Sequence, residues 1–118
     1  MITINGVDYI PASEVVAMAE KTDGMVYCII RTYSAGVHAG FVKRREGKEV
    51  ELVNSRRIWY WDGAASLSEL ATKGAGKPQN CKFPAPVPSI TLTEAIEIIP
   101  CSAAAQNMIQ ECAVWTKN

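Results

Sequence analysis

The chain has 118 residues, 48% of them hydrophobic and 20% charged, a composition that supports one packed core and excludes wholesale disorder. Twelve basic and twelve acidic side chains cancel, so the strong basic excess of a tail-driven nucleic-acid binder is absent and no DNA or RNA polymer is expected as a partner. No apolar run approaches the roughly 20 residues that span a bilayer, and Met1-Ile2-Thr3-Ile4-Asn5 lacks the basic start and apolar stretch of a secretory leader. No membrane partner and a cytoplasmic location are therefore expected.

In chain order, residues 1–24 read as an appended unit. Ile2, Ile4, Val7 and Tyr9 flank Asn5-Gly6, a strong hairpin signal. Pro11 breaks the strand, and Ser13 is placed to cap a short helix running to about Lys21. Asp23-Gly24 closes the unit, and residues 25–118 form the core domain.

Four strands are predicted next. Met25 to Tyr33 alternates, with Val26, Cys28, Ile30 and Thr32 on one side and Tyr27, Ile29, Arg31 and Tyr33 on the other. After the turn at Ser34-Ala35-Gly36, Val37 to Lys43 runs back. Glu49 to Val53 is a short strand, and Asn54-Ser55 turns into a fourth, Arg56 to Trp61. Short links make this an antiparallel meander. Ser66-Leu67-Ser68-Glu69 fits a capping box for a helix that stops at Gly74. Lys77 to Pro88 holds four of the six prolines and reads as an irregular arm. Ile90 to Ile99 reads as one strand bent near Glu94, and Ser102 caps a second helix to Cys112. The expected class is α+β: an antiparallel sheet with two or three short helices and an N-terminal hairpin-helix extension. Cys28, Cys81, Cys101 and Cys112 lie far apart with no C-x-x-C pair, and read as buried free thiols with no metal role.

Charge is uneven. Residues 25–82 carry a net +5 between acidic ends, which makes the middle the place to look for an anionic ligand. Enzyme motifs are missing there. The sequence has no Walker A loop, no G-x-G-x-x-G after a strand, no G-x-S-x-G and no H-E-x-x-H, and its one histidine, His38, has no spaced nucleophile. No catalysis and no cofactor are expected. The distinctive stretch is Arg56 to Leu67: two guanidiniums, three consecutive aromatics, then small residues opening a helix. Arginine pairs phosphate in a bidentate fork, and indole or phenol rings stack on bases. The same residues also suit a plain core with an arginine rim. Alternation sets Arg57, Trp59 and Trp61 on one face and Arg56, Ile58 and Tyr60 on the other. A single sheet with aromatics on both faces suggests a subunit covering one of them. Arg31-Thr32-Tyr33-Ser34-Ala35-Gly36 is a second candidate, offering a base, an aromatic and a hydroxyl at a tight turn.

Met25 to Gly40 and Arg56 to Leu67, with Asn80-Cys81-Lys82-Phe83-Pro84 and Leu92 to Pro100, resemble a family of small tailed-phage proteins over residues 25–100. The resemblance implies a sponge of the anti-CBASS type. Such a protein binds a cyclic nucleotide defence signal such as 3′,3′-cyclic GMP–AMP without hydrolysing it, as a homo-oligomer, a tetramer being favoured. Its setting would be immune evasion in the cytoplasm of the infected bacterial host. Residue chemistry assigns the roles: Tyr60 with Trp61 or Trp59 to stack on bases, Arg31 and Arg57 to meet phosphates, and Tyr33, Ser34, His38 and Ser66 to supply hydrogen bonds. The alternative is a phage regulatory or host-protein-binding module that uses the aromatic face as an interface.

Overall fold

The computed structural model describes residues 16–116 in full and, for the N-terminal region, the backbone of strands β1 (Ile2–Ile4) and β2 (Val7–Tyr9). These two pair antiparallel, with Ile4 opposite Val7, as the Asn-Gly signal predicts. The helix expected over Ser13 to Lys21 is not formed in its described part; residues 13–15 lie outside the described residues. Ala17 to Ala19 is instead extended beside residues 101–103. The Ala19 N–H donates to Cys101 O at 3.1 Å, and the Ala103 N–H donates to Ala17 O at 2.8 Å. A nine-residue helix is marginal on its own, and here the extended strip satisfies a backbone N–H that the following helix leaves without an internal partner.

The core strands are β3 (Val26–Thr32), β4 (Val37–Glu46), β5 (Glu49–Arg57), β6 (Val87–Leu92) and β7 (Ala95–Pro100), with helices α1 (Leu67–Lys73) and α2 (Ala103–Glu111). All pairings are antiparallel, in the order β6-β5-β4-β3-β7. Both helices carry the expected caps: Ser66 Oγ accepts from the Glu69 N–H, and Ser102 Oγ accepts from the Ala105 N–H. Gly74, at φ +78°, ends α1.

Two strand expectations are corrected. Residues 90–99 form two strands, not one, because β6 and β7 lie on opposite edges of the sheet. That link also dictates the shape. The edges of a flat five-stranded sheet lie about 19 Å apart at about 4.8 Å per strand. Three chain steps from Leu92 to Ala95 reach only about 11 Å. The sheet therefore curls into a partly closed barrel, and the Ala95 N–H donates across to Lys48 O at 2.9 Å.

Its interior is Cys28, Ile30, Val50, Leu52 and Leu92, all at most 3% exposed. This cluster draws only on strand residues, so the sheet covers it by curling. On the opposite face Tyr27, Ile29, Ala39 and Phe41 pack beneath Leu70 and Ala71 of α1 and Ala105 and Ile109 of α2. Both faces are thus buried within one chain, and a subunit is not needed to cover either.

The second correction is that Asn54-Ser55 is not a turn. β5 runs unbroken through it to Arg57, and the strand expected over Arg56 to Trp61 ends there. Ala39 pairs with Arg56 and Phe41 with Val53, so two residues of β5 oppose Gly40 alone: a β-bulge. Asn54 takes φ +50°, a conformation asparagine tolerates. Glycine suits the position opposite, since a Cβ on residue 40 would crowd Ser55 Cα at 3.0 Å. The bulge turns Ser55 and Arg57 to the interior face and Arg56 to the helix face.

Candidate functional site

The turn after β3 is held from within. Thr32 Oγ1 donates to Gly36 O and accepts from the Ala35 N–H, both at 2.8 Å, and the Thr32 N–H donates to Gly36 O at 3.1 Å. Gly36 sits at φ +83°, where a side chain would be strained. The carbonyl of Ala35 then receives two side chains: Arg57 Nη1 at 2.8 Å and His38 Nε2 at 2.9 Å. Arg57 and His38 are direct cross-strand partners, so turn, imidazole and guanidinium form one rigid corner.

Ser34, Ala35, Gly36, Val37, Arg57, Ile58, Trp59 and Trp61 surround a surface cleft of about 420 Å³ at this corner. Trp59 is 64% exposed. Trp61 is half-buried against the core, and its Nε1–H donates to Ala64 O at 3.2 Å. The cleft joins one free indole face, one fixed indole, a guanidinium and a backbone turn. Among the described residues Arg57 has no carboxylate partner.

His38 is buried, 1% exposed. Burial holds its pKa below the ordinary 6.5; the bond to Ala35 O pulls upward and the Arg57 charge adds to the lowering. The ring is therefore neutral at pH 7, with its proton on Nε2 facing the carbonyl. The four cysteines are free and buried. Burial pushes the Cys28 thiol up to about 11 and that of Cys101 up to about 12, so both stay protonated.

The remaining sequence candidates stand apart from this cleft. Arg31 is ion-paired with Glu97, its cross-strand partner. Tyr33, 76% exposed, lies on the surface just before the turn and lines no part of the cleft. Tyr60 is half-exposed, with Lys82 Nζ 5.6 Å from its ring centre. Ser66 spends its oxygen on capping α1. Sequence reasoning missed Ser55, whose signal was hidden once Asn54-Ser55 was read as a turn, and the Ala35 carbonyl, which no side-chain pattern announces.

Among the described residues no helix is long and apolar enough to cross a membrane, and no cluster of three or more His, Cys, Asp or Glu side chains is placed to hold a metal ion. Curled sheet, two covering helices and an aromatic–arginine cleft define the protein as a small α+β barrel domain. Residues 25–109 match the family described as Domain of unknown function (DUF6948), and the chain belongs to that family. No curated protein and no solved structure matches.

Proposed function

We propose that the protein binds an anionic nucleotide in this cleft and holds it without turnover, as a sponge for a cyclic nucleotide signal of bacterial defence. The observation that carries the reading is the convergence of Trp59, Trp61 and Arg57 on a pre-set turn. A base stacks on the exposed indole face and the guanidinium meets a phosphate, the two strongest sequence-tolerant contacts to nucleotides. The cleft's lining has no carboxylate, thiol or imidazole, which suits binding over hydrolysis. The resemblance to phage sponges supports the same reading, whose setting would be the cytoplasm of an infected bacterium. A homo-oligomer, the tetramer favoured, completes the proposal: Tyr33, outside the cleft, leaves apolar surface that a second copy would cover.

The test is calorimetry against cyclic di- and trinucleotides and cyclic ADP-ribose isomers. The expected result is tight binding of at least one of them, with the ligand recovered intact after heat denaturation. Recovery of a linear product would replace the sponge with an enzyme. No heat with any member of the panel would favour the second reading, in which exposed Tyr33 and Trp59 anchor a host protein.

A further inference from the structure

The bulge turns Ser55 and Arg57 to the same side of β5, and His38 faces Arg57 across β4. Together they line the mouth of the barrel, a separate cavity of about 200 Å³ walled otherwise by Pro84, Ala85, Val87 and Ile90. Ser55 is 2% exposed, and its Oγ is the one buried side-chain polar atom among the described residues with no hydrogen-bond partner. An orphaned buried hydroxyl loses its water without gaining a partner, so such a group signals something that belongs there. At about 200 Å³ the cavity has room for more than a single water.

We propose that this mouth is an oxyanion subsite for a phosphoryl group. Ser55 Oγ–H and the N–H groups of Arg57 not used by Ala35 supply its donors. A guanidinium fork matches two oxygens of a phosphoryl group, and the hydroxyl takes a third. Arg57 also lines the aromatic cleft, so it stands between the two cavities. The subsite stands on Ser55 and the mouth, and does not depend on the nucleotide reading of the cleft.

His38 gives the experiment an internal reporter, since it is the chain's only histidine and its ring lines the mouth. Its ring resonances are followed by NMR while inorganic phosphate is added, with sodium chloride at matched ionic strength as control. The expected result is a saturable shift with phosphate and none with chloride. Ser55→Ala should weaken the phosphate response at least tenfold, and Ser55→Thr, which keeps the hydroxyl, should restore most of it. Melting curves confirm that both variants are folded.

A second arm uses adenosine 5′-monophosphate. Binding at least tenfold tighter than phosphate, lost in Trp59→Ala, identifies the source as a nucleotide with its base in the cleft. Equal binding of the two identifies free phosphate. Either outcome upholds the subsite. A shift that chloride reproduces, or one that Ser55→Ala leaves intact, overturns it and leaves the mouth to water. That failure is separate from failure of the cleft, which Trp59→Ala reads.

Discussion

The guanidinium of Arg56 lies behind Phe83, 4% exposed, and donates to three carbonyls: Ile109 at 2.7 Å, Phe83 at 2.9 Å and Pro84 at 3.0 Å. That of Arg57, one residue on, is exposed and gives one bond, to Ala35 O. The Arg56 cage ties β5 to the proline-rich arm and to the last turn of α2, whose free carbonyls carry the negative end of the helix dipole. Arg57 borders open space on both of its sides. The same residue type serves as a fastener in one place and keeps donors free at a cleft in the next. Burial and the number of donors already engaged distinguish the two; charge alone does not.

The contrast is sharpest in stability. Arg56→Met leaves the carbonyls of Ile109 and Pro84 without this donor, while Phe83 O keeps the Trp115 N–H at 3.0 Å; an acceptor left unmet in the interior costs about 1–3 kcal/mol. We expect a loss of about 3 kcal/mol or more, roughly 12 °C in Tm for a domain of this size, read by thermal unfolding. Arg56→Lys should recover little of it, because a single ammonium group does not reproduce the fork. A near-normal Tm in Arg56→Met would dissolve the comparison.

Arg57→Ala should do the reverse. Ala35 O keeps its bond from His38, so stability should change by no more than about 1 kcal/mol. Affinity for the nucleotide should fall about 10- to 150-fold, the value of a charge-assisted contact of about 1.5–3 kcal/mol. Titration calorimetry on the folded variant checks both halves.

The two tryptophans repeat the contrast at smaller scale. Trp59→Ala should cost about 1–3 kcal/mol of binding and little stability, since the ring is mostly in solvent. Trp61→Ala removes an indole packed on the core and should lower Tm as well. Equal losses of stability in both variants would make Trp59 a structural residue.

The smallest effect concerns pH. His38 is held neutral in the fold, its pKa depressed below 6.5 by burial, with a further lowering from Arg57. As pH falls through 6.5 the unfolded chain takes up the proton first, so stability is fully present above that value and declines below it. His38→Gln keeps a donor for Ala35 O and has nothing to titrate. The fall in Tm between pH 8 and pH 5.5 should therefore be larger in the wild type than in His38→Gln.

Local signals in the sequence carried far. Ser66 with Glu69, Gly74 and Ser102 marked the helix ends through caps that involve only neighbours in the chain. Alternation in Met25 to Tyr33 separated the two clusters correctly, Cys28 and Ile30 from Tyr27 and Ile29. Arg57, Trp59, Trp61 and Ser34 stand out in the sequence as candidates, and all four line the cleft. What stayed hidden depends on partners far along the chain. The segment after Val16 becomes extended because residues 101–103 offer it backbone bonds. β6 and β7 separate because β5 and β3 claim them individually. Arg56 is buried because Phe83, Pro84 and Ile109 converge on it, 27 to 53 positions away. Ser55 was lost with the bulge, since an asparagine followed by a serine signals a turn in the absence of the glycine opposite.

That bulge carries a further consequence. A strand counts in twos, and the pair Asn54-Ser55 opposite Gly40 takes one residue out of the count. Had β5 run without it, the interior side chains after Leu52 would be Asn54 and Arg56, and Arg57 would point at the helices. The two arginines would trade places. Because they are the same residue, a comparison of compositions would show no change, and an aligned arginine would be credited with the wrong task. Parity along β5, with a glycine on the neighbouring strand making room for the bulge, decides which arginine faces the cleft. Length changes in residues 53–55 therefore alter the cleft more directly than many substitutions within it.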